Sequence, residues 1–82
     1  MTQADQIRTY VMLNYIAPAR HNNRYYVIVQ SGDVHKGLNL AANYPNVCQA
    51  LDGQIFLKQA KVRLVERSGP KQSSTVEWVF KV

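Results

Sequence analysis

Apolar residues recur at a spacing of four through Ile7, Val11 and Tyr15, with Leu13 and Ile16 widening the stripe. That period predicts an amphipathic helix at the start of the chain. Thr2 is its candidate N-cap, and Asp5, three residues on, has the spacing of a capping box and suits the positive end of a helix. Pro18 is expected to kink or end this helix, because its ring removes a donor and crowds the preceding turn. The polar run His21-Asn22-Asn23-Arg24 then reads as a turn. The period changes at Tyr25-Tyr26-Val27-Ile28-Val29-Gln30, a short β-branched and aromatic run that predicts a strand.

Ser31 is the expected N-cap of a second, short helix that carries Asp33 in its first turn and Val34 and Leu38 on one face. Gly37 and Asn39 weaken it, so it should stop near Leu38 or Asn39. Leu40-Ala41-Ala42 forms a connection. Asn43 is the candidate cap of a third helix, with Pro45 in its first turn, where a missing N–H costs nothing. Val47, Ala50 and Leu51 make the buried face of that helix, and Tyr44, Asn46 and Gln49 point mostly to solvent. Asp52-Gly53 interrupts it, and residues 55–60 add a further turn or two. Residues 61–67 and 75–82 are strand-like, and the polar stretch 68–74 between them makes a hairpin. Along the last strand Val76, Trp78, Phe80 and Val82 share one face, with Thr75, Glu77 and Lys81 on the other.

Composition narrows the function classes. The chain has 82 residues, 46% of them apolar and 18% charged, which is globular composition and room for one domain, residues 1–82. At this length roughly 60–65% of the unfolded surface is buried, so a full core and a deep catalytic cavity compete for the same few side chains. Asp5, Asp33, Asp52, Glu66 and Glu77 are too scattered to form a paired-carboxylate site, and no nucleophile-elbow, P-loop or dinucleotide-binding string occurs. No enzyme and no cofactor are expected. Cys48 is the single cysteine, so no intrachain disulfide can form and a reducing, cytoplasmic setting is expected. His21, His35 and Cys48 fit no common zinc spacing, and no metal site is expected. No run approaches the roughly 18–20 apolar residues of a membrane span, and the first five residues predict no secretory signal. Ten Lys and Arg against five Asp and Glu give a net charge of +5, which favours a polyanionic partner, nucleic acid above all.

The order helix, short strand, short helix, helix, two-stranded hairpin resembles the winged helix-turn-helix family over nearly the whole chain. Residues 31–40 look like the first helix of the motif, Asn43-Tyr44-Pro45-Asn46-Val47-Cys48-Gln49-Ala50-Leu51 like the recognition helix, and Ser68 to Ser74 like the wing. The resemblance implies an α+β fold, mainly α, with a three-helix core, a short strand after the first helix and a C-terminal β-hairpin wing. It also implies a double-stranded DNA binder, serving as a regulator or target reader, with the recognition helix in the major groove and the wing on the backbone or minor groove.

On that footing Asn43, Tyr44, Asn46 and Gln49 are the candidate base readers, since Asn and Gln pair bidentately with adenine. Each also has a plainer role, as cap, packing residue or solvated amide. Arg67, Lys71, Gln72, Ser73 and Ser74 are the candidate wing contacts, against the alternative of a solvated loop. Lys36 is a further phosphate candidate, while Lys58, Lys61 and Arg63 read as solvated charges. Trp78 and Phe80 are read as core, with stacking on single-stranded bases as the alternative use. A competing class is a winged-helix protein-interaction module, with a protein partner or a second copy docking on Tyr25, Tyr26 and Tyr44.

Overall fold

A computed structural model describes residues 2–40, 44–70 and 74–82. The chain is mixed α+β, mainly helical, with a three-stranded antiparallel sheet. Three helical segments follow one another directly at the start: α1 (Gln3–Val11), a π-helical segment (Met12–Ile16) and α2 (Ala17–His21). Thr2 caps α1 as expected. Its hydroxyl accepts from the Asp5 N–H at 3.1 Å, and the Asp5 carboxylate accepts from the Thr2 N–H at 3.3 Å. Ile7, Val11 and Ile16 are buried and Tyr15 is half-buried, but Leu13 is exposed.

Pro18 does not end the helix, which continues to His21. Ahead of it the Ala17 N–H reaches the Met12 carbonyl, five residues back. This wider turn loosens the crowding that a proline ring imposes on the turn before it. The rod stops at Asn23, which takes a left-handed conformation (φ 57°), while the Arg24 N–H returns to the Ala19 carbonyl at 2.8 Å. This is a Schellman closure, with asparagine in the position glycine usually holds.

Strand β1 (Tyr26–Gln30) follows, then α3 (Ser31–Gly37), α4 (Tyr44–Asp52), α5 (Gln54–Ala60), β2 (Arg63–Ser68) and β3 (Glu77–Lys81). The expected helix cap at Ser31 lies one residue earlier, at Gln30. Ser31 is buried, and its N–H donates to the Val76 carbonyl at 2.9 Å, while the Gly32 N–H donates to the Ser74 carbonyl at 3.0 Å. The first donors of α3, which no intrahelical acceptor can satisfy, are therefore used to dock the approach to β3. A Cβ on Gly32 would lie 2.8 Å from that same Ser74 oxygen, so the contact requires glycine. α3 ends on Asn39 (φ 54°) with the closure already seen at Asn23, the Leu40 N–H returning to the His35 carbonyl at 3.1 Å.

The sheet order is β1-β3-β2, so the last strand of the chain is the central one. Val27 and Val29 pair with Phe80 and Trp78 across β1 and β3, and Leu64 and Arg67 meet the same two residues from β2. A bulge between Leu64 and Glu66 leaves Val65 unpaired and exposed. The inner face of β3, with Trp78 and Phe80 fully buried, and Val76 just before it pack against Ile7, Val11, Val34, Val47, Leu51 and Phe56 in a single core. Leu38 sits at its edge. Cys48 is buried on the inner face of α4. Among the described residues no helix is long and apolar enough to cross a membrane.

Two outcomes follow from this packing. Leu51 is 1% exposed, so Leu51→Ala should cost about 2–5 kcal/mol in a urea melt. The paired hydrogen bonds with Thr2, hydroxyl first, hold the Asp5 carboxyl below its ordinary pKa. A depressed carboxylate stabilises the fold fully above the unfolded value of about 4 and loses that contribution as pH falls through the native value. The Asp5 carboxyl should therefore titrate below an unstructured aspartate in NMR, and Thr2→Ala should raise it part of the way back, because the residue 2 N–H and Arg8 still favour the carboxylate.

Candidate nucleic-acid interface

α4 has one wet side. Val47, Cys48, Ala50 and Leu51 face the core, and Asn46 and Gln49, three residues apart, share the exposed side. This stripe does not stand alone. The first turn of α1 lies beside it, and Gln3, Ala4, Arg8, Asn46, Gln49 and Ala50 enclose a cleft of about 260 Å³. The Asn46 amide nitrogen donates to the Gln3 side-chain oxygen. The Arg8 guanidinium donates to the Ala50 carbonyl at 3.2 Å and to Asp5 at 3.2 Å. Gln3 and Arg8 were not legible as members of this face, because only the packing of α1 on α4 brings them there.

At the far end of α4, Asp52 organises a second cluster. Its carboxylate accepts from Arg67 Nε at 2.7 Å and from Arg67 Nη2 at 3.1 Å, and its Oδ1 also accepts from the Trp78 indole N–H at 2.7 Å. The Arg67 guanidinium lies 6.0 Å from the Trp78 ring centroid, within cation–π range. Arg67 is held above its ordinary pKa, first by the hydrogen bonds it donates to Asp52 and also by that charge. As a wing residue Arg67 was expected to face phosphate; its fork is bound to Asp52 instead, so it joins the hairpin to the helix.

The remaining expected contacts are distributed as follows. Lys36 is exposed on α3. Ser74 is half-buried with its carbonyl on the α3 N-terminus. Tyr44 opens α4. Asn43, Lys71, Gln72 and Ser73 lie outside the described residues.

The structure also assembles a group of which sequence reading named only Lys58, Lys61 and Arg63, as solvated charges. Arg20, Arg24, Lys58, Lys61, Arg63 and Lys81 are all exposed and gather at one end of the molecule. The Arg20 guanidinium donates to the Ala60 and Lys61 carbonyls at 2.7 and 2.8 Å. Arg63 and Tyr26 flank Lys81 across the sheet. Spacing shows Lys58, Lys61 and Arg63 as neighbours; the other three join them only through the sheet register and the Arg20 contacts. Among the described residues no cluster of His, Cys, Asp and Glu could hold a metal ion. Comparison with family models, with curated proteins and with solved structures gives no match.

The Asp52 cluster gives a direct test. Asp52→Ala strips the buried Trp78 N–H of its acceptor and should cost about 1–3 kcal/mol. Asp52→Asn keeps an acceptor oxygen and should cost less. Equal melts for the two variants would show that the indole bond contributes nothing.

Proposed function

We propose that this chain is a winged-helix domain that binds double-stranded DNA, with α4 entering the major groove and the β2–β3 hairpin lying against the backbone. The observation that carries the reading is the stripe of Asn46 and Gln49. It is the exposed side of a helix whose other side is committed to the core, and both amides can pair with base edges. The order of helices and strands, with β3 between β1 and β2, supports the winged-helix assignment. Asp52, by tying Arg67 and Trp78 to the end of α4, holds the hairpin at a set angle to the reading helix. Gln3 adds a third amide beside Asn46. Lys36 and Lys71 supply charge to the backbone.

A second reading, assembly with a protein partner, is supported by the outer sheet face, where Ile28 is 61% exposed and pairs with Val79. It predicts an association that salt scarcely weakens, whereas phosphate contacts weaken steeply with salt.

Selection from a random duplex pool, followed by titration, tests the first reading. Asn46→Ala and Gln49→Ala should each lower preference for the selected site by about 1–3 kcal/mol while leaving non-specific affinity nearly intact. Lys36→Ala and Lys71→Ala should instead weaken all duplexes alike, each reducing the salt slope by about 0.9. A selected site whose preference survives both amide substitutions would remove α4 as the reader.

A further inference from the structure

We propose that the basic end of the molecule is a separate site for single-stranded nucleic acid, with a base stacked on Tyr26 and phosphates held by the surrounding cations. Three observations converge there. The first is charge. Arg20, Arg24, Lys58, Lys61, Arg63 and Lys81 are exposed, and none of them forms an ion pair among the described residues. Arg8 and Arg67, in contrast, are each paired with an aspartate. Outside these six, the chain has four basic and five acidic side chains and is net −1. The positive charge that favours a polyanion is therefore the property of this one end.

The second observation is aromatic exposure. Tyr25 is 76% exposed and Tyr26 54%, although Tyr side chains of folded domains are usually more covered than this. The Tyr25 carbonyl accepts from the Val82 N–H at 2.9 Å, which makes Tyr26 and Lys81 the adjoining non-hydrogen-bonded pair, the closer kind in an antiparallel sheet. Tyr26, Lys81 and Arg63 thus form a row across three strands, on the face away from the core. A ring beside two cations on a rigid sheet is the combination that binds unpaired bases and their backbone together. Duplex DNA would use the cations and leave the rings idle, because its bases are already stacked.

The third is shape. Beside Tyr26, between β1 and the helical rod, runs a groove of about 440 Å³ bordered by Tyr15, Pro18, Asn22, Arg24, Tyr26 and Ile28. A lining that combines two tyrosines and Pro18 with Arg24 suits the π-face and phosphate of one nucleotide. The site shares no residue with the α4 stripe, so it stands or falls independently of the duplex reading.

The test is fluorescence anisotropy of the full chain with a labelled oligothymidylate of about a dozen nucleotides. Tyr26→Ala should weaken binding about 5- to 100-fold, and Tyr26→Phe, which keeps the ring, should restore most of it. Arg63→Ala and Lys81→Ala should each lower the salt slope by about 0.7, the single-strand value. Asn46→Ala should bind the oligonucleotide like the parent, and urea melts would establish that each variant is folded. The proposal is overturned if the parent chain does not bind the oligonucleotide at low salt, or if folded Tyr26→Ala binds it undiminished. Binding of phosphatidylserine vesicles that an excess of oligonucleotide fails to displace would assign the surface to a membrane and overturn it equally.

Discussion

The burial of Trp78 and Phe80 on the central strand is the contact on which the other elements depend. β3 is the last of the three strands in sequence and the middle one in space, so β1, some fifty residues earlier, has no sheet partner until β3 is in place. Both aromatic side chains are fully buried and meet residues from β1, β2 and the helical layer. A pair of rings of this size dominates the apolar area of a small core. The long-range pairing also delays its formation, since loop closure precedes the reward of contact. The Ser31 and Gly32 amides ease that closure locally, because they give the approach to β3 a fixed landing on α3.

Much of this was legible from local pattern. The alternation of Val76, Trp78, Phe80 and Val82 marks a strand with one buried face, and the Thr2–Asp5 spacing marks the first cap; both are short-range signals. The departures are equally physical. Pro18 is a helix breaker by composition, yet a π-turn one step upstream absorbs it, and no residue type announces that turn. Ser31 has the chemistry of a cap, but its N–H and that of Gly32 find the Val76 and Ser74 carbonyls, partners more than forty residues away. Helix ends at Asn23 and Asn39 follow from the tolerance of asparagine for left-handed backbone, whereas Lys61 adopts the same conformation (φ 55°) with no such excuse. There the Arg20 guanidinium binds the terminal carbonyls of α5, a cation at the negative end of a helix.

The candidate site was legible residue by residue but not as a surface. Asn46 and Gln49 could be placed on the wet side of their helix from the apolar positions around them. Their company could not: Gln3 and Arg8 arrive by helix packing, and Asp52 captures Arg67 across fifteen residues of sequence. An arginine in a hairpin reads as a phosphate ligand when its partner is out of view. With Asp52 in place it is a strut between helix and hairpin, and α4 and the hairpin are fixed relative to each other through one carboxylate.

Net charge is a property of the whole chain, and its meaning changes once it is located. Around the α4 stripe the arginines are neutralised, Arg8 by Asp5 and Arg67 by Asp52, which leaves amides as the exposed chemistry. Amides have short reach and strict geometry, so they discriminate; clustered cations act over roughly a Debye length of 8–10 Å and attract. Six cations that form no ion pair among the described residues lie on another surface, and the two proposed sites divide these tasks between them. On the proposal made above, a polyanion approaching from solution is drawn first to the end where Lys81 sits between Tyr26 and Arg63. The proposed discrimination by Asn46 and Gln49 would then be a second event on another surface, so that the salt dependence of attraction and the sequence dependence of reading need not belong to the same residues.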